Sequence, residues 1–88
     1  MDKTLKEVKD GEQAQKILDN PVYKDAVESV RKGIISSMAN SSLGDEKTHN
    51  RLVIALQLLS QIEKQLSDVM QTGKMAQIQT APKFRIFG

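Results

Sequence analysis

Apolar residues recur every three or four positions along most of the chain, which is the spacing of amphipathic helices. The first clear segment is 12–19, where Ala14 and Leu18 share one face. Residues 1–10 are more polar and fit either one or two helical turns stopped by Gly11 or a frayed arm. The pattern therefore predicts a short N-terminal helix over 12–19.

The pair Asn20-Pro21 predicts where a second helix begins. Asn is a favoured N-cap, and Pro is favoured at the first helical position because its missing N–H needs no partner there. The residue before a proline is also pushed out of the helical conformation, which ends the preceding helix. Apolar positions then continue at helical spacing, so we predict a helix over 21–40.

One face of this second helix carries small residues. Its glycine, Gly33, costs about 1 kcal/mol of helix propensity relative to alanine. We predict that the stripe allows another helix to pack closely, with a hinge at Gly33 as the alternative. The predicted close-packing residues are Ala26, Val30, Gly33 and Ser37.

Residues 39–45 predict a loop, because Asn, Ser and Gly compete with helical hydrogen bonding. A third helix is predicted over 45–72, ended by Gly73 in a left-handed conformation. Its apolar positions alternate spacings of three and four, which is typical of the seam of an antiparallel hairpin or short coiled coil. The seam residues are Leu52, Ala55, Leu59, Ile62, Leu66 and Val69.

The predicted fold is all-α: an antiparallel hairpin of helices 21–40 and 45–72 with the short helix 12–19. Residues 1–79 form the helical domain and residues 80–88 an extended tail. Within 52–59, seven of eight positions are apolar, which exceeds the arc of about 100° that a hairpin covers. A homo-oligomer or a larger protein complex is therefore expected. The predicted interface residues are Leu52, Val53, Ile54, Leu56, Leu58 and Leu59.

The tail holds two of the three aromatic residues, and its polar and apolar residues alternate as in an extended strand. Either the tail folds onto its own core, or it docks on a neighbouring chain, which we favour slightly. The predicted docking residues are Lys83, Phe84, Arg85, Ile86 and Phe87.

The composition limits the reactions and bound groups that the chain can support. The chain has 88 residues, no Cys and one His, so it offers neither a disulfide nor a closed zinc site. No nucleophile motif, carboxylate loop or glycine-rich phosphate loop is present. We therefore predict no cofactor, no metal and no enzymatic activity.

Charge and hydropathy limit the kinds of partner that the chain is expected to bind. The net charge is only +2, and the predicted third helix is too apolar to lie in a nucleic-acid groove, so nucleic-acid binding is not expected. No apolar run approaches the ~20 residues of a membrane span, and no signal sequence follows Met1. We expect no membrane partner and a cytoplasmic or virion location.

The chain resembles small bacteriophage-encoded helical proteins, often encoded among virion or packaging genes. The matching cues cover roughly residues 11–76, and the chain departs by lacking Trp and by its Phe-containing tail. The resemblance implies a small helical phage protein and names no mechanism. The cues are Gly11-Glu-Gln-Ala-Gln-Lys-Ile-Leu18, Asn20-Pro-Val-Tyr23 with Ala26, Asn50-Arg51-Leu52, and Gln71-Thr-Gly-Lys74.

Three functions remain open from the sequence. The first is an oligomeric assembly protein that docks on a larger complex, favoured because its apolar surface calls for protein partners. The second is a phage anti-defence inhibitor or a sponge for an anionic ligand such as a cyclic nucleotide, with Lys74, Lys83, Arg85 and helix N-termini binding the anion. The third and weakest is a nucleic-acid-packaging accessory protein.

Overall fold

The computed structural model of the chain describes residues 2–80. Three helices make up this range: α1 (Asp2–Asp19), α2 (Pro21–Asn40) and α3 (Glu46–Thr80). Residues 2–80 contain no strand. The all-α prediction is confirmed, whereas the tail predicted over 80–88 lies outside the described residues except for Thr80, which ends α3.

Helix α2 has the bounds that the sequence predicts. The side-chain Oδ1 of Asn20 accepts hydrogen bonds from the backbone N–H of Val22 (2.8 Å) and Tyr23 (3.1 Å). Pro21 occupies the first helical position. Asn20 itself is extended, so α1 ends one residue before it and α2 begins one residue after.

Helices α1 and α3 are longer than predicted. The sequence predicted that a helix would stop at Gly11 and that the third helix would end at Gly73. Both predictions are wrong, because each glycine lies inside a continuous helix. Residues 2–10 belong to α1, which is therefore not limited to 12–19. Among the described residues the left-handed glycine is Gly44, at φ 85°, in the loop before α3.

Helices α1 and α2 lie one after the other along α3. Arg31 of α2 forms an ion pair with Glu63 of α3, and Gly11 of α1 contacts Gly73 further along α3. Only five residues, 41–45, join α2 to α3, so α3 begins beside the end of α2 and runs back along it. Its 35 residues extend for about 52 Å.

The interior of this arrangement is small. In the part of the chain that the structure describes, the buried side chains are Ala14, Val27 and Ala76, and no large side chain is fully buried. The predicted α3 seam is correct in part. Its Ile62 is 58% exposed, whereas the next residue, Glu63, is half-buried against α2 and holds Arg31. At this one position of the seam Glu63 faces α2, and beyond it Leu66 and Val69 are half-buried as predicted.

Candidate interaction surface

Helix α3 carries a row of large apolar side chains that no other described helix covers. Ile54, Leu58 and Ile62 are 53%, 61% and 58% exposed. A spacing of four residues places them along one side of the helix. Each immediately precedes a half-buried residue that faces inward, namely Ala55, Leu59 and Glu63.

Of the six interface residues predicted from the sequence, three are half-buried and three are exposed. Leu52, Leu56 and Leu59 are half-buried within the chain. Ile54 and Leu58 are exposed in the row just described, and Val53, 39% exposed, lies on another side of α3.

The predicted stripe of small residues on α2 is also exposed. Val30 is 51% exposed, and a Cβ added to Gly33 would meet nothing within 4 Å. No other helix within residues 2–80 packs against this stripe, and the close packing predicted for it stays a prediction. Its members Ala26, Val30, Gly33 and Ser37 are all exposed.

The two rows lie on the same side of the α2–α3 pair. Each stripe residue on α2 immediately precedes an inward residue, as Ala26 precedes buried Val27 and Gly33 precedes half-buried Ile34. The α3 row has the same one-residue offset from its inward positions. In two antiparallel helices, residues with equal offsets from the seam project to the same side, as pairs at equivalent heptad positions do. We call the combined surface the uncharged face; its residues are Ala26, Val30, Gly33 and Ser37 of α2 with Ile54, Leu58 and Ile62 of α3.

Charge is segregated across the α2–α3 pair. The positions that flank the uncharged face include Ser29 and Ser36 on α2 and Gln61 and Gln65 on α3, and Arg51 marks its end near the loop. The opposite side carries charged residues of both signs. These are Lys24, Asp25, Glu28 and Lys32 on α2, and Lys64 on α3.

Helices α1 and α3 meet through backbone contact at Gly11 and Gly73. A Cβ built on Gly11 would lie 2.7 Å from the Gly73 Cα, and one on Gly73 would lie 2.8 Å from the Glu7 carbonyl oxygen. This contact was not predicted from the sequence, because both glycines were expected at helix ends. The signal was present: each glycine is followed three residues later by an alanine, Ala14 and Ala76, and both alanines are buried.

The set proposed for anion binding is only partly described. Lys74 lines a small groove between α1 and α3 together with Glu12 and the amides Gln15 and Gln77. The acidic Glu12 in the same groove opposes anion binding. Lys83 and Arg85, like the rest of the predicted docking tail, lie outside the described residues.

Asp45 caps the N-terminus of α3. Its Oδ1 accepts a hydrogen bond from the backbone N–H of Thr48 (3.2 Å), and its carbonyl accepts one from the N–H of His49 (3.1 Å). Hydrogen bonds from Thr48, chiefly from its side chain and then from its backbone, lower the pKa of Asp45, and the charge of His49 adds to the shift. The arrangement is a helix cap.

Two further kinds of site do not occur within residues 2–80. No three His, Cys, Asp or Glu residues of this range lie close enough together to hold a metal ion. None of the three helices is both long enough and apolar enough to cross a membrane.

No protein-family model, curated protein or solved structure matches the chain. The resemblance to phage proteins therefore stays a prediction from the sequence.

Proposed function

We propose that this chain is a small non-enzymatic helical interaction protein that assembles with itself or docks on a larger complex through its uncharged face. The observation that supports the proposal is the exposure of Ile54, Leu58 and Ile62 beside an uncharged stripe on α2. Isolated exposed apolar residues are ordinary, whereas a continuous apolar patch marks a protein interface. A phage origin, in the virion or in the host cytoplasm, is part of the same proposal and rests on the sequence resemblance.

The energetics favour a covered face. Transfer of a fully exposed Leu or Ile side chain out of water is worth about 1.5–3 kcal/mol, so three partly exposed ones contribute several kcal/mol when a partner covers them. Within the described chain, by contrast, the buried side chains are two alanines and one valine. Covering the face would therefore bury larger side chains than any that are buried within the described chain.

Cysteine labelling tests the proposal directly, because the natural chain contains no Cys. Leu58→Cys places a thiol on the uncharged face, and Lys64→Cys places a matched thiol on the charged side of the same helix. Both positions are exposed in the isolated chain. In extracts of cells that contain the protein at its natural level, we expect the thiol at 58 to react with a maleimide at least tenfold more slowly than the control thiol. Denaturant should remove the difference.

Equal labelling of the two thiols under native conditions, in extract and in purified protein alike, would show that nothing covers the face. The proposed function would then be wrong. Ile54→Cys provides a second probe of the same face, should Leu58→Cys itself weaken an interface.

A further inference from the structure

We infer that residues 83–87, which lie outside the described residues, bind in cis along an acidic groove between α1 and α3. The inference goes beyond the proposed function, because no residue of the uncharged face lines this groove. Three features select the segment: the charge of the groove, the side on which the chain leaves α3, and the distance to be spanned. The acidic groove is lined by Glu7 and Asp10 of α1 and by Gln65, Asp68, Val69 and Thr72 of α3.

Two grooves flank the contact between α1 and α3, and they differ in charge. One contains Lys74 together with a single carboxylate, Glu12. The acidic groove is lined by three carboxylates and by no lysine or arginine. Residues 69–88 contain no acidic residue, and the segment itself contributes two cations, Lys83 and Arg85. Because opposite charges attract across a contact, the acidic groove suits this segment and the groove with Lys74 does not.

The carboxylates of the acidic groove are available to a further cation. Glu7 is half-buried and forms no ion pair with another described residue. Asp10 pairs with Lys6, and Asp68 pairs with Lys64, but both lysines are exposed to solvent. Exposed ion pairs of this kind contribute little to stability, so a cation attached to the same chain can bind beside them.

The chain leaves α3 on the side of the acidic groove. Thr80 ends the helix eleven residues after Val69, which lines the acidic groove. Eleven residues make about three helical turns, so the two positions lie on the same side of α3. Met70, one residue and about 100° further round the helix, lines the other groove. The segment therefore reaches the acidic groove without crossing α3.

The segment has the length that the acidic groove requires. With Ala81 and Pro82 used to reverse the direction of the chain, residues 83–87 span about 17 Å when extended. Asp68 lies about 18 Å before Thr80 along the helix axis. Because a short linker holds the segment at an effective concentration of about 1 mM, binding in cis is favoured over binding to a second copy.

The bound segment would connect two helices, since α1 and α3 each supply part of the groove. It adds to the backbone contact at Gly11 and Gly73, which holds the same pair of helices. We therefore expect the segment to stabilise the packing of α1 on α3 and to leave α2 unaffected.

Paramagnetic broadening of amide NMR signals in the full chain tests the inference. Gly88→Cys supplies a single thiol for a nitroxide, because the natural chain contains no Cys. We expect the signals of residues 65–68 to lose at least half of their intensity. Reversing both charges of the segment, with Lys83→Glu and Arg85→Glu, should reduce this broadening at least fivefold. The control Lys74→Glu, in the other groove, should leave it unchanged.

A charge swap shows whether the groove itself is the site. Glu7→Lys and Asp68→Lys, added to the charge-reversed segment, should restore at least half of the broadening. Hydrogen exchange gives a second readout: amides of residues 2–19 should exchange at least threefold faster in the charge-reversed chain, and those of residues 21–40 at an unchanged rate. Circular dichroism must show that the variants keep their helical content.

The other outcomes contradict the inference. Broadening confined to residues 76–80 would show that the segment does not bind along the groove. Broadening that survives the charge reversal would show that the carboxylates do not direct it. A mixture of isotope-labelled chains with spin-labelled, isotope-free chains detects binding between copies, and broadening of residues 65–68 there would replace the cis contact. The thiol at 58 reports on the uncharged face alone, so each of these results leaves the proposed function standing.

Discussion

Gly11 of α1 and Gly73 of α3 are in direct backbone contact, so neither position has room for a side chain. A Cβ on either residue would lie 2.7 Å from the Cα of the other. This contact holds α1 against the C-terminal half of α3. Helix α2, whose inward side chains are larger, packs against the part of α3 that comes before.

We predict that Gly73→Ala destabilises the chain by about 1–3 kcal/mol, because the added methyl group meets backbone atoms that cannot move independently of their helix. The matched control is Gly33→Ala, which meets nothing within 4 Å and should stabilise α2 by up to about 1 kcal/mol through helix propensity. Urea unfolding followed by circular dichroism measures both changes.

The control position, Gly33, also lies on the uncharged face. Both glycine variants should therefore be compared in chains that also carry Leu58→Glu, which disrupts contacts made through that face. Equal effects of the two alanines there would contradict the backbone contact between α1 and α3.

The ion pair between Arg31 and Glu63 joins α2 to α3 at a half-buried position, with 29% and 35% of the two side chains exposed. We predict a coupling energy of about 0.5–1 kcal/mol in a double-mutant cycle with alanine at each position. The exposed pair Lys64–Asp68 on α3, at 2.9 Å, is the control and should couple by less than about 0.5 kcal/mol. Equal coupling in the two cycles would show that the position between helices adds nothing.

The hydroxyl of Tyr23 is buried and makes no hydrogen bond with a described residue. A buried hydroxyl without a partner costs free energy that its removal recovers. We therefore predict that Tyr23→Phe leaves the free energy of unfolding unchanged or raises it by up to about 1 kcal/mol. Tyr23→Ala should lower it by about 3 kcal/mol through lost packing. A clear loss of stability in the phenylalanine variant would show that the hydroxyl is hydrogen-bonded in solution.

The cap at Asp45 predicts a dependence of stability on pH. Hydrogen bonding from Thr48 lowers the pKa of the folded carboxyl, so the unfolded chain binds its proton more tightly. The charged cap therefore stabilises the fold above the unfolded pKa near 3.8, and this contribution is lost as the pH falls through the lower folded value.

Asp45→Asn is the matched variant for this dependence, because asparagine also caps helices and does not titrate. The stability advantage of the natural residue over asparagine should shrink as the pH falls below about 4, in urea titrations at several pH values. A difference that stays constant across that range would contradict the role of the ionised carboxyl.

The extent to which sequence reasoning succeeded differs from helix to helix. The start of α2 could be predicted because Asn20 and Pro21 act on their own backbone neighbours. The start of α1 and the end of α3 could not be predicted, because a glycine in a helix loses about 1 kcal/mol locally. At Gly11 and Gly73, contact between two distant segments offsets that loss.

The candidate surface shows the same division. The excess of apolar residues over 52–59 predicted an interface on α3, but spacing alone placed Ile62 in the seam. In the structure Glu63 takes the inward position, where it pairs with Arg31, and Ile62 is exposed beside Leu58.

The sequence by itself determined the helical class, the break at Asn20-Pro21 and the surplus of apolar residues on α3, because periodicity and capping depend on residues close together in the chain. Only the tertiary structure decided which glycine has open space around it and which contacts another helix. Gly33 has open space and Gly73 contacts α1, although both have similar helical surroundings in sequence. It also showed that the exposed rows of α2 and α3 share one side. Both results depend on how residues far apart in sequence are oriented, and local pattern does not encode that orientation.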